Sequence, residues 1–147
     1  MTFNKIFIVV VLLGAAAVVY FLLTALPVRV CAADACVNAE VVTKKADQQR
    51  GLQGRTGLGQ NQGMLFVFTK DERYRFWMKD MKFPIDILWL DSQGLIVSVS
   101  ENAPVCLADP CPVYAPPQDA RYVLEVGAGF SRAHGFISGA RAVIKNL

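Results

Sequence analysis

The sequence predicts a mostly β fold, either a compact β-sandwich or a partly open barrel, with one or two short helices and a preceding transmembrane helix. Three observations support this prediction. Several short apolar or alternating segments are separated by turn residues, residues 6–26 form an uncharged apolar run, and residues 104–117 hold five of the seven prolines, which indicates a loop. The length of 147 residues supports one domain rather than two.

The apolar run at residues 6–26 predicts a membrane anchor. At about 1.5 Å per residue, a helix of this length spans roughly the 30 Å hydrocarbon layer. A cleaved signal peptide is the alternative, because Lys5 precedes the run and Ala33-Asp34-Ala35 has a small-x-small cleavage pattern. The run is longer than a usual signal core, which favours an uncleaved anchor. We therefore expect three parts: an anchor at 1–27, a linker with two cysteines at 28–39, and a β domain at 40–147.

The first half of the predicted domain begins with a short strand at 37–43 and one or two helical turns at 46–53. Residues 55–63 contain three glycines and read as a loop. Residues 64–68 are apolar on both faces and rich in β-formers, which indicates a fully buried strand. Residues 73–78 alternate between apolar and mostly basic side chains, so they predict a half-buried strand.

The second half contains the best local signal, a β-hairpin formed by residues 85–90 and 95–100 around a turn at 91–94. Residues 121–126 alternate and predict a strand with Tyr122, Leu124 and Val126 facing inward and Glu125 on the opposite face. We expect a helical turn at 130–134 and a closing strand at 141–144.

Four cysteines form two similar pairs, each with four residues between its members: Cys31 and Cys36, then Cys106 and Cys111. An even count beside an export signal suggests an oxidising compartment and two disulfides, although the connectivity stays open. A four-cysteine zinc site or redox-active thiols are the alternatives. Because disulfides are favoured, no metal or cofactor is expected.

The charge balance argues against nucleic acid as a partner. Fifteen Lys and Arg residues against twelve Asp and Glu residues give a net charge of +3, and the basic residues are scattered along the chain. A nucleic-acid interface needs a clustered basic face.

Five motifs occur in a characteristic order and spacing: Arg50-Gly51-Leu52, Gly63-Met64-Leu65-Phe66-Val67-Phe68, Phe76-Trp77-Met78-Lys79-Asp80-Met81, Pro84-Ile85-Asp86-Ile87, and Arg121-Tyr122-Val123-Leu124-Glu125-Val126 before Ala128-Gly129. From about residue 40 to the C-terminus, the chain resembles the domain-of-unknown-function family 192. The resemblance implies a compact, mostly β fold that is often exported or membrane-tethered. It implies no activity, so it supplies no catalytic residue.

One candidate binding surface is an alternating basic and aromatic face made by Trp77, Arg75 and Lys79. Such a face could stack on a sugar or hold an anionic group, although it is also a normal way to cover a sheet. Asp86 shares a strand face with Leu88 and Leu90, where desolvation could raise its pKa. The alternative is that Asp86 accepts hydrogen bonds from the adjacent turn or from a nearby Lys79 or Lys82.

Other candidate groups are acids and the single histidine. Glu101 and Glu125 could converge with Asp86 to bind a cation or serve acid–base chemistry, but solvated strand acids are the commoner case. His134 is the only histidine, which excludes a multi-histidine metal centre and favours a surface role.

These observations leave three functional hypotheses, and the catalytic residues of any enzyme stay unknown. The favoured one is a non-enzymatic module on the outer face of the cytoplasmic membrane that binds a small ligand or an envelope partner, using Trp77, Arg75 and the 104–117 loop. The second is a small hydrolase or lyase that uses Asp86, Glu101 or His134. The third is a thiol-redox or zinc-binding role for the four cysteines.

Overall fold

The computed structural model describes residues 26–147, together with the backbone of Phe7–Leu13 and Ala16–Leu22. These two segments are β1 and β2, which pair as a two-stranded antiparallel sheet. Residues 6, 14–15 and 23–25 of the predicted membrane helix lie outside the described residues. Within the described part of the chain, no helix is long and apolar enough to cross a membrane. Membrane anchoring therefore stays a prediction.

The domain that follows is mostly β, as predicted, with two short helices. In chain order its elements are β3 (Val28–Ala32), β4 (Ala35–Val42), α1 (Lys45–Arg50), β5 (Gln62–Glu72), β6 (Phe76–Trp77), β7 (Ile85–Leu90), β8 (Ile96–Ala103), β9 (Val113–Tyr114), β10 (Ala120–Gly127), α2 (Phe130–Ala133) and β11 (Val143–Lys145).

Seven of these strands form one mixed sheet in the order β11-β3-β4-β5-β10-β7-β8. Only the β4–β5 contact within this sheet is parallel, and the others are antiparallel. The predicted hairpin is confirmed as β7 and β8. The Asp91 carboxylate holds its turn by accepting hydrogen bonds from the backbone N–H groups of Gln93 and Leu95, at 2.8 and 2.9 Å.

The sheet curls until its edge strand β8 meets the segment that precedes its other edge strand, β11. This shape corresponds to the partly open barrel among the predicted alternatives. The Ile96 N–H donates to the Ala140 carbonyl at 2.9 Å, and the Gly139 N–H donates to the Ile96 carbonyl at 2.8 Å. Gly94 lies against the Ala142 carbonyl with φ near +78°, so a Cβ at this position would collide with that oxygen. The backbone at Gly94 and the backbone at Ala142 therefore lie very close together where the curled sheet nears closure.

Both faces of the sheet are buried. One face packs a core that includes Leu65, Leu88 and Leu124. The other packs a second core that includes Phe66, Trp89 and Val123, and this core is covered by the segment that follows α1 and by β6. All six residues of β7 are buried because this strand lies between both cores.

Two segments differ from the sequence-based expectation. Residues 28–39, expected to be a linker, form β3 and most of β4 inside the large sheet. Only β6, Phe76–Trp77, forms a strand within the stretch expected at 73–78. It pairs with β9 from the proline-rich loop. Prolines on both sides of β9 remove backbone donors and keep this second sheet short.

All four cysteines are paired. Cys31 bonds to Cys36 across the β3–β4 turn, and Cys106 bonds to Cys111 in the loop before β9. The structure therefore selects two local clips among the connectivities that the sequence left open.

Candidate functional site

A cavity of about 400 Å³ lies between α1, β6 and the outer face of the large sheet. Its lining consists of an apolar, largely aromatic wall and a more polar opening; the residues are Lys45, Gln48, Gln49, Arg50, Gly51, Leu52, Gln53, Phe66, Phe68, Tyr74, Arg75, Phe76, Trp77, Met81 and Glu125. This volume lies within the range of small-molecule sites.

The aromatic wall is held by contacts between rings. Phe66 meets Phe76 edge to face at 4.9 Å between ring centroids, and Phe68 stacks on Tyr74 at 3.5 Å. Phe76 also contacts Trp89, whose indole N–H donates to the Tyr74 carbonyl at 2.9 Å. Because these rings support one another, the wall is preformed rather than assembled by a ligand.

Glu125 is the acid of this cavity, and β10 positions it. Its strand partners are Met64 on β5 and Ile87 on β7, so the carboxyl group points to the same face as these buried side chains. Only 5% of Glu125 is exposed. A Cβ at Gly51 would lie 3.8 Å from Glu125 Oε2 and 3.3 Å from the Phe66 ring, so the chain after α1 packs directly over this acid.

The Glu125 carboxyl group is unusual because its Oε2 atom is buried without a hydrogen-bond partner among the described residues. Burial raises the pKa of Glu125 from 4.5 to about 8, while the charge of Arg55 acts in the opposite direction. The acid is therefore mostly protonated at neutral pH. An unsatisfied buried polar group costs free energy unless something supplies its hydrogen bond.

The opening of the cavity is basic. Lys45 and Arg75 are exposed, and within residues 26–147 neither belongs to an ion pair. Arg50 pairs with Asp47 at 2.9 Å on its own helix, and Arg55 pairs with Glu40 at 2.7 Å. The site thus combines a buried acid inside with free cationic groups outside.

The predicted basic and aromatic face lies partly at this cavity. Trp77, 50% exposed, and Arg75 belong to the lining. The Lys79 ammonium group lies 5.8 Å from the centre of the Trp77 ring and 3.2 Å from the carboxylate of Asp109 in the 104–117 loop. This loop also supplies β9, the strand partner of Trp77.

Asp86 lies elsewhere and is fully buried on the other face of the sheet. Its carboxyl group accepts hydrogen bonds from the backbone of Asn102, Gly129 and Ser131 at 2.7–3.1 Å and from the Ser131 hydroxyl at 2.7 Å. These bonds connect β7 to β8 and to the start of α2. Asp86 thus accepts hydrogen bonds, as the alternative interpretation expects, but its donors come from segments distant in sequence and not from the adjacent turn, Lys79 or Lys82.

Glu101 and His134 lie near α2 but do not join Asp86 in a catalytic cluster. Glu101 pairs with Arg132 at 2.7 Å. His134 is exposed and packs against the Phe130 ring at 4.4 Å. The predicted convergence of Asp86, Glu101 and Glu125 does not occur, because Glu125 points to the opposite face of the sheet from Asp86.

The sulfur atoms of Cys106 and Cys111 lie within 4.8 Å of a carboxylate oxygen of Asp109, which is a spacing that a metal ion could use. Zinc needs thiolates, and both sulfurs are held in a disulfide. Asp109 is engaged by Lys79. The residues present therefore do not form a zinc-binding donor set.

Glu125 is the residue whose role the sequence did not predict. Strand alternation correctly predicts that Glu125 lies opposite Leu124, but the expectation of a solvated acid on that face is wrong, because the face is buried. A signal was present: Val123 precedes Glu125 by two residues on the same face, and residues 64–68 are apolar on both faces. Both facts indicate a sheet covered on two sides.

Fold and site together define a class: a small domain built on a curled mixed sheet, with an aromatic cavity over a buried acid. A family model covers residues 28–144 and describes the domain-of-unknown-function family 192 as "Uncharacterized ACR". The chain belongs to this family, which confirms the resemblance drawn from its motifs.

Solved structures show the same fold. A protein from Sinorhizobium meliloti 1021, proposed to be a transcription regulator, is 29% identical, with a TM-score of 0.71 over 82% of this chain and 93% of that chain. A protein of unknown function from Novosphingobium aromaticivorans DSM 12444 is 24% identical, with a TM-score of 0.70 over 80% and 83% of the two chains. No curated protein matches the sequence.

Proposed function

We propose that the protein is a non-enzymatic, ligand-binding domain of the cell envelope. The observation that supports binding is Glu125, a buried acid without a hydrogen-bond partner in the described structure, at the inner end of a preformed aromatic cavity. Natural proteins rarely leave such a group unsatisfied, and ligand sites characteristically combine apolar walls with a few such polar groups. A small molecule with an apolar body and a polar group directed at Glu125 fits this arrangement.

A hydrolase or lyase is less well supported by the same site. Among the described residues that line the cavity, Glu125 is the sole carboxylic acid and no histidine accompanies it. General acid–base catalysis usually needs a second positioned group, whereas binding needs only the acid. Asp86, the other buried acid, already accepts hydrogen bonds that hold α2 and β8.

We place the domain outside the cytoplasm, tethered by residues 6–26, with secretion after signal cleavage as the alternative. The support is the apolar run and the two disulfides, which persist in oxidising compartments. A C-terminal reporter that is active only outside the cytoplasm should be active, and the intact mass should include the first 27 residues. An inactive reporter contradicts the location, and a shorter mass indicates cleavage.

The proposed regulatory role of the Sinorhizobium protein is not adopted for this chain. DNA binding depends on clustered basic side chains that contact phosphates. Here several arginines pair with nearby acids, including Arg55 with Glu40, Arg121 with Asp71, and Arg132 with Glu101.

The binding role is tested by recovering what the cavity retains. The full-length chain and its Gln49→Trp variant are purified from a bacterial envelope and analysed by native mass spectrometry. Gln49 is an exposed residue of α1 that lines the cavity, so tryptophan there should obstruct the opening without disturbing the core. We expect a small molecule to stay with the wild type and to be lost from the variant.

Val113→Ala is the matched control. Val113 pairs with Trp77 across β6 and β9, and its exposed fraction of 48% is close to the 50% of Trp77. Unlike Trp77, Val113 is not part of the cavity lining. Its retained molecules should match those of the wild type. Equal retention by the wild type and the Gln49→Trp variant would contradict a role for the cavity.

A further inference from the structure

The cavity has an ionisable acid at its inner end and cationic side chains at its outer end. The inner end holds Glu125, whose Oε2 is buried and lacks a partner among the described residues. The outer end presents Lys45 and Arg75, which are exposed and outside the described ion pairs. Aromatic rings belong to the same lining. A ligand that satisfies both ends needs a donor or positive group inside and a negative group outside.

We infer that the cavity binds a small zwitterion, with its ammonium group against Glu125 and the aromatic rings and its anionic group at Lys45 and Arg75. This inference rests on the proposed binding role and specifies the class of ligand. It assigns separate roles to the two ends of the same cavity.

An ammonium group fits the inner end for two reasons. It carries N–H donors for the unpartnered Glu125 oxygen, and a charged donor makes the stronger hydrogen bond with a carboxylate. Faces of aromatic rings also attract cations, as the position of the Lys79 ammonium group over the Trp77 ring illustrates on this wall.

Ammonium binding should change the number of protons bound to the protein, and this change can be measured. Burial holds the pKa of Glu125 at about 8, so the free acid is mostly protonated at neutral pH. The charged groups near it are Arg55, whose charge lowers its pKa, and Lys45, Arg50 and Arg75 in the lining, and the titratable Tyr74 also belongs to the lining. When an ammonium ion enters, Glu125 loses its proton to solvent and forms the ion pair, so binding releases a proton.

A ligand with only one of the two charges leaves one end unmatched. A simple anion would satisfy Lys45 and Arg75 but offer nothing to Glu125, and a simple amine would pass the cationic opening without a partner there. Specificity of this kind arises because unpaired groups are penalised in the wrong complex.

The test uses three probes of equal chain length: 5-aminopentanoate, pentanoate and pentylamine. Each is titrated by calorimetry into the full-length chain in maltoside micelles, at about pH 7 in two buffers with different ionisation enthalpies, with empty micelles as the blank. We expect 5-aminopentanoate to bind at least about 10-fold more tightly than either probe of single charge, and to release about one proton.

Two variants assign the contacts. Glu125→Gln should weaken 5-aminopentanoate binding by at least about 10-fold and abolish the proton release, because glutamine cannot ionise. Glu101→Gln is the matched control, since Glu101 is a partly exposed acid that pairs with Arg132 away from the cavity. Its affinity should equal that of the wild type.

Phosphatidylethanolamine carries the same pair of charges in its headgroup. The titration is therefore repeated with that lipid in the micelles. A lower affinity for 5-aminopentanoate would identify a lipid headgroup as the source of the zwitterion, and an unchanged affinity would identify a free molecule.

The inference is overturned if pentanoate binds as tightly as 5-aminopentanoate, if Glu125→Gln leaves the affinity unchanged, or if none of the three probes binds. These results do not decide the binding role itself. A small molecule retained by the wild type and lost from Gln49→Trp would still support that role, so the two failures can be told apart.

Discussion

The buried acid Glu125 makes stability depend on pH in an unusual direction. Its pKa in the folded chain is about 8, against 4.5 as the reference for an exposed glutamate. Between these values the folded state keeps a proton that the unfolded state has lost, so the free energy of unfolding falls as pH rises, by up to about 1.4 kcal/mol per pH unit. Below the window the penalty for ionising this group is absent, and above the window the full penalty is present.

Glu125→Gln should remove this slope and stabilise the protein above neutral pH. The measurement is urea denaturation of the wild type and the variant across about pH 5 to 9. The Glu101→Gln variant should keep the wild-type slope. Parallel pH profiles for the wild type and Glu125→Gln would show that the acid is not buried as described.

Asp86 is expected to be structural. Its removal leaves the Ser131 hydroxyl and the backbone N–H groups of Asn102, Gly129 and Ser131 without their acceptor. Asp86→Ala should therefore lower the free energy of unfolding by about 3 to 5 kcal/mol. Glu101→Ala removes a partly exposed ion pair and should cost less than about 1 kcal/mol. Similar losses in the two variants, measured by urea denaturation, would contradict this assignment.

At the scale of elements, β5 and β10 approach each other too closely for a side chain at Gly63. A Cβ there would lie 2.7 Å from the Glu125 carbonyl oxygen and 2.8 Å from Val37 Cγ1. Gly63→Ala should lower the free energy of unfolding by about 1 to 3 kcal/mol, because backbone must shift to admit it.

Gly57→Ala is the control for Gly63→Ala, because a Cβ at Gly57 meets nothing within 4 Å. The two variants are compared by thermal or urea unfolding. A tolerated alanine at Gly63 would mean that the two strands are further apart than described.

The sequence predicted elements well where local pattern decides the structure, and poorly where partners distant in sequence decide it. The hairpin of β7 and β8 has its own turn residues, and β10 has clear alternation. For residues 28–36 the partners decide the structure, since β3 becomes a strand by pairing with β4 and with β11 from the far end of the chain. The aromatic cavity escaped prediction for the same reason.

The candidate site shows the same division. Trp77 and Arg75 were predicted from a local alternating pattern, and both line the cavity. Glu125 required the knowledge that its face of the sheet is covered by the segment after α1, which is a tertiary fact. The two acids that the sequence offered as candidates, Asp86 and Glu101, are held by the Ser131 hydroxyl and by Arg132.

At the scale of the whole molecule, the two disulfides each close a very short loop. In the chain-entropy description, a loop of this length contributes about 2 kcal/mol to stability. Replacing Cys106 and Cys111 by serine should lower the free energy of unfolding by about that amount, and the same holds for Cys31 and Cys36. Intact mass before and after reduction counts the bridges.

A double-serine variant that loses ligand binding while it keeps its fold would contradict a purely structural role for that pair. A mass that shows free thiols in the exported protein would contradict the bridges themselves.

The first and last strands of the domain lie side by side and run in opposite directions, with Arg29 opposite Lys145 and the Asn146 amide donating to the Pro27 carbonyl at 3.1 Å. A force that pulls Pro27 and Asn146 apart therefore breaks the hydrogen bonds between β3 and β11 one after another, starting at this end. It does not act on all of these hydrogen bonds at once. We expect β11 to peel away at low force. The mechanically weak point of the domain is thus the place where both ends of its chain emerge.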